Sequence, residues 1–151
     1  MRNIITALFL FLGVLSIQAQ EIRWMSIDEA MARQKKMAKP IFLNVYTDWY
    51  APCKMLDKET FQDPEFVDFI NKNYYAVKFN AEGNSVINFK GNKFTNPGFD
   101  QGRKGRNSTH EFTKLLEVQE YPAMYIIDKN GDIKRSIVGY KTHDELLRIM
   151  R

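Results

Sequence analysis

Cys53 is the one cysteine in 151 residues. A lone thiol can form a mixed disulfide with a partner, but it cannot close an intramolecular bridge. Nor can it supply a cysteine-based zinc site or an iron–sulfur cluster. The two histidines, His110 and His143, are far apart and lack metal-ligand spacing, so no metal and no other cofactor is expected. Cys53 follows Pro52, a residue suited to a first helical turn. The unsatisfied N–H groups of that turn, together with Lys54, favour a thiolate. Burial would oppose it, because a desolvated thiol keeps its proton. Two readings stay open at Cys53: a reactive monothiol, and a small core residue, the commoner fate of free cysteine.

Those residues need a scaffold, and the elements can be read along the chain. Ser26-Ile27-Asp28-Glu29, Ser108-Thr109-His110-Glu111 and Thr142-His143-Asp144-Glu145 fit the capping box, in which a hydroxyl caps the first turn and a glutamate reaches back. They predict helices over about 27–37, 109–117 and 143–150. Ile41 to Tyr46 is a near-continuous apolar run after Pro40, which predicts a strand buried on both faces. A second strand is expected over 74–79. Between the two, 52–71 reads as helix, broken or restarted at Asp63-Pro64. Residues 123–128 and 132–138 flank an Asn-Gly turn and predict an antiparallel hairpin. Helices alternating with strands imply an α/β fold, a mixed central sheet covered on both faces.

Residues 83–107 hold five of the eight glycines and several asparagines. Residues 86–94 could form a small hairpin turning at Gly91-Asn92, and the remainder reads as loop. Lys90, Lys93, Arg103, Lys104 and Arg106 make this insertion basic. It is either a solvated excursion or a dock for an acidic partner. The whole chain carries a formal charge of +4, too little to suggest a nucleic-acid binder.

Residues 1–19 have the layout of a secretory signal peptide: Arg2, an apolar run from Ile4 to Ile17, then small residues ending at Ala19. The run is short for a bilayer span, which needs ~20 residues. Residues 20–151 are then a single domain that works in the periplasm or outside the cell, with no stable membrane span after cleavage.

Trp49-Tyr50-Ala51-Pro52-Cys53-Lys54, placed between a buried strand and a helix, resembles the active-site turn of the thioredoxin family, Trp-Cys-x-Pro-Cys-Lys. Lys39-Pro40 with the strand after it, and Glu59-Thr60-Phe61-x-Asp63-Pro64, are similar to secreted thioredoxin-like proteins and to the C-terminal domain of transmembrane thiol reductases. Tyr121-Pro122 falls where the family carries its cis-proline. The resemblance covers residues 24–150, interrupted by the insertion, and implies a thioredoxin fold. It also implies that extended polypeptide pairs beside Tyr121-Pro122, with Trp49, Tyr50, Tyr121 and Pro122 forming an aromatic groove.

Two positions depart from the family pattern. Tyr50 stands where the family has its nucleophilic cysteine, and Asn44 where it has a buried acid. Dithiol exchange needs one sulfur to attack and another to resolve. A phenol ionising near ~10 cannot replace the first, and an amide cannot shuttle the proton of the second. The expectation is a redox-impaired protein that binds a polypeptide client or an envelope protein. The alternative is a thiol–disulfide oxidoreductase or isomerase-like protein that uses Cys53 with an external thiol as resolver.

Overall fold

A computed structural model describes residues 19–151. The leader read at 1–19 lies outside the described residues but for its last position. Among the described residues, no helix is long and apolar enough to cross a membrane.

The chain runs β1 (Trp24–Met25), α1 (Ile27–Lys36), β2 (Ile41–Tyr46), α2 (Ala51–Lys58), a 3-10 turn (Thr60–Gln62), α3 (Pro64–Asn73) and β3 (Tyr75–Asn80). It continues through β4 (Ile87–Phe89), β5 (Asn92–Phe94), α4 (Glu111–Leu115), β6 (Ala123–Ile127), β7 (Ile133–Val138) and α5 (His143–Met150). Five strands form one mixed sheet in the order β1-β3-β2-β6-β7, with β1, β3 and β2 parallel and β6 and β7 antiparallel to their neighbours.

Successive strand residues face opposite sides, and β2 shows why its apolar run is continuous. Ile41, Leu43 and Val45 pack with Ile27, Ala30, Phe89 and Phe112 on the face covered by α1, α4 and the β4–β5 hairpin. Phe42 joins Leu56, Phe66, Ile70 and Leu146 on the face covered by α2, α3 and α5. Asn44 shares the parity of Phe42, so this alternation sends an amide toward the α2 side.

The helix expected over 52–71 divides at Asp63-Pro64. Asp63 accepts the Phe66 N–H at 2.9 Å and starts α3. The capping box at Thr142 forms in full. At Ser26 only half forms, because Glu29 turns to Arg33 instead of reaching back. At Ser108 it does not form. His110 caps a shorter helix, accepting the Phe112 N–H on Nδ1, while Glu111 binds the Thr95 N–H and hydroxyl. The small hairpin turns at Lys90-Gly91 rather than Gly91-Asn92. Both turn residues have positive φ, as a two-residue turn matched to strand twist requires. β1 was not expected; two residues carry no periodicity, and it exists by pairing with Ala76 and Val77.

Candidate active-site turn and cleft

β2 delivers the chain to a turn, Thr47 to Tyr50, which opens α2. The Tyr50 carbonyl accepts the N–H of Cys53 at 3.1 Å and that of Lys54 at 3.4 Å. Tyr50 offers no side-chain cap, and Pro52 lies in the first turn. Cys53 is therefore in the first turn, yet only 3% exposed. Burial pushes its thiol up, and the Asp57 carboxylate one turn along adds to the rise. Thr47 and the Lys78 ammonium pull the other way without prevailing. The cation that acts on the sulfur is thus Lys78, on β3, and not the exposed Lys54. Lys78 is itself engaged, 2.7 Å from Asp57 and over the Tyr46 ring.

Asn44 lies in register with Lys78 and Met124 on the flanking strands. It is 1% exposed, and its Oδ1 has no hydrogen-bond partner among the described residues. Its carbonyl oxygen therefore satisfies no local polar group among the described residues.

Above the sulfur the surface is aromatic and open. The Trp49 and Tyr50 rings pack at 5.4 Å, and Tyr50 is 37% exposed. Trp49 donates its indole N–H to Glu82 Oε2 at 3.0 Å, and the same oxygen accepts the Asn107 N–H at 2.8 Å. The Tyr121–Pro122 peptide bond is cis. Tyr121 is half-buried, and burial holds its phenol above the ordinary range, helped by Glu82 and Cys53. Among the described residues, no backbone group pairs with the N–H or C=O of Tyr121.

Trp49, Tyr50 and Tyr121 line one cleft of about 590 Å³, together with Pro52, Glu82 and Arg106. Pro122 lies behind it, buried, its carbonyl accepting the Gly139 N–H. Cys53 is buried and does not line the cleft. Glu82, Glu120 and Tyr140 belong to its lining but are not singled out by the sequence, and Arg106, named there as part of the basic insertion, lines it too. Glu82 and Arg106 flank or sit in a loop with no periodicity, and only the tertiary fold brings them to Trp49.

The five basic residues of the insertion fall in two places, Lys90 and Lys93 at the β4–β5 hairpin and Arg103, Lys104 and Arg106 in the loop that follows. Lys90 pairs with Asp132 at the β6–β7 turn, and Lys93 is on the same hairpin. Arg103 lines a polar cavity of about 490 Å³ with Asp48, Asn80 and Asp100, which shares Trp49 and Glu82 with the cleft. Arg106 stacks on Trp49, 4.2 Å from the ring centroid. Among the described residues, no group of three or more His, Cys, Asp or Glu side chains is arranged to hold a metal ion.

The sequence matches the family profile described as Thioredoxin-like domain over residues 27–151. The chain belongs to the thioredoxin-like family. Among solved structures it is similar to DsbH oxidoreductase, with 18% identity and a TM-score of 0.61, covering 99% of this chain and 91% of that one. A candidate disulphide isomerase from Bacteroides thetaiotaomicron is 27% identical, with a TM-score of 0.61, over 87% of this chain and 91% of that one. A thioredoxin from Thermus thermophilus is 13% identical, with a TM-score of 0.62, over 85% and 84%. No curated protein matches the sequence. The mixed five-stranded sheet with helices on both faces is a thioredoxin fold, here resembling disulfide-related proteins while holding one cysteine.

Proposed function

We propose that this is a periplasmic or secreted thioredoxin-fold protein that binds extended polypeptide in the cleft beside Tyr121 and has lost the dithiol cycle. One observation carries the reading. Among the described residues the backbone of Tyr121 is unpaired and it borders an open aromatic cleft, while the one thiol is buried and does not line that cleft. Backbone pairing with an added strand requires donors and acceptors, not sulfur. The apolar leader supports export. Tyr50 in place of a first cysteine, and Asn44 in place of an acid, support the loss of redox cycling.

The test is binding of a fluorescein-labelled unfolded peptide of alanine, serine and valine, followed by anisotropy. Binding that survives Cys53→Ser and weakens in Tyr121→Ala is the expected result. No binding by the wild-type protein would remove the proposal.

A second reading keeps Cys53 as a monothiol, favoured by the disulphide-isomerase description of the 27%-identical relative. Burial of the thiol and the upward push on its ionisation weigh against it. A mixed disulfide trapped at Cys53 in the native protein would establish this reading in place of the first.

A further inference from the structure

Arg106 is held in place from three directions. Gly105 precedes it at φ +83°, a conformation that other residues rarely adopt. Asn107 follows it, its N–H fixed on Glu82. The guanidinium itself lies over Trp49, its Cζ 4.2 Å from the ring centroid. Stacking on an indole face is favourable for a guanidinium and leaves its N–H edge free for a partner. Among the described residues, no carboxylate lies within ion-pair distance of Arg106. The residue is exposed and lines the cleft.

We propose that the cleft selects extended polypeptide carrying an acidic side chain at its Arg106 end. The inference rests on the peptide-binding reading above and names the class of client. Five donors in a planar fork match a carboxylate in two parallel hydrogen bonds. Glu82 is turned to other donors, its Oε2 accepting the Trp49 and Asn107 N–H groups, and among the described residues it makes no ion pair with Arg106. Glu120 also lines the cleft, is exposed, and makes no ion pair among the described residues. It repels acid elsewhere along the bound segment, so the site favours one well-placed carboxylate over an acidic run. The insertion thereby becomes part of the recognition surface, through one residue rather than through its overall charge.

Labelled alanine-serine-valine peptides with a single glutamate scanned along the sequence give the measurement, with neutral and single-lysine peptides beside them. The best glutamate peptide should bind about tenfold more tightly than the neutral one, the scale of one charge-assisted contact. Arg106→Ala should bring it down to the neutral peptide's affinity. Arg106→Glu should move the preference to the lysine peptide. Arg106→Lys should retain part of it, because the charge stays and the fork is lost. Lys36→Ala removes a positive charge on α1, away from the cleft, and should leave the preference intact. Equal binding of all three peptides by the wild-type protein overturns the inference while leaving peptide binding standing. So does a glutamate preference that persists in Arg106→Ala. Binding of none of the peptides overturns the underlying reading as well.

Discussion

At the scale of single residues, Cys53 and Asn44 decide what the turn can do. Cys53 sits where a helix start favours a thiolate, yet burial and Asp57 outweigh that field. Local opening must then precede modification. Iodoacetamide at neutral pH should label native Cys53 slower than the denatured chain, by on the order of tenfold or more. Equal rates would show an exposed thiol. Asn44 keeps a buried amide oxygen without a partner among the described residues, and such a group costs about 1–3 kcal/mol. Asn44→Val, which suits a strand and removes the polar atoms, should raise stability by about 1 kcal/mol in urea unfolding. A fall would show that the amide has a structural role. Trp49, Tyr50 and Tyr121 were legible in sequence because the first two share a hexapeptide with Cys53 and the third precedes a proline. Glu82 was not, and Arg106 was legible only as part of a basic insertion, since each meets Trp49 only through long-range folding.

At the scale of elements, legibility followed the local chemistry that each segment carries. β2, β6 and β7 announce themselves by apolar runs and an Asn-Gly turn, and α3 by Asp63-Pro64. The hydroxyl-x-x-glutamate pattern was less reliable, because a competing partner can capture the glutamate. Arg33 takes Glu29, and Thr95 takes Glu111, which leaves His110 to cap α4. Only at Thr142 does the glutamate return to the cap. This difference has a measurable consequence. Thr142→Ala should cost about 1 kcal/mol in urea unfolding, the usual worth of an N-cap. Ser108→Ala, at the same sequence pattern, should cost much less. His110→Ala should exceed both, at about 2 kcal/mol or more, because it removes a cap and a buried ring. That ring also binds the Ser85 carbonyl at 2.7 Å. Similar costs at Ser108 and Thr142 would contradict the observed caps.

At the scale of the whole molecule, burial of phenols and of the one thiol couples folding to alkaline pH. Tyr46, Tyr74, Tyr121 and Tyr125 are all pushed up by burial, as is Cys53, while Tyr140 is pushed up chiefly by its hydrogen bond to Glu59. The folded state holds each of these protons more tightly than the unfolded chain does. Above the unfolded value, the unfolded chain therefore binds fewer protons, and stability falls as pH rises. The thiol acts first, from about 8.5, and the phenols follow from about 10. The acid side runs oppositely. Thr95, the Asp132 N–H and Thr142 hold Glu111, Asp128 and Glu145 below the usual carboxylate range. Their contribution is complete above the unfolded carboxylate values near ~4 and fades as pH falls through the lower folded ones. Thermal unfolding followed by circular dichroism should thus show a plateau through neutral pH and a decline that begins near 8.5. Cys53→Ser should delay that decline until the phenols titrate, whatever it does to the plateau height. A wild-type curve flat to pH 10, or a Cys53→Ser curve with the same onset, would mean that the thiol ionises as easily folded as unfolded. The sulfur would then be available for chemistry after all, and the monothiol reading would gain on the binding one.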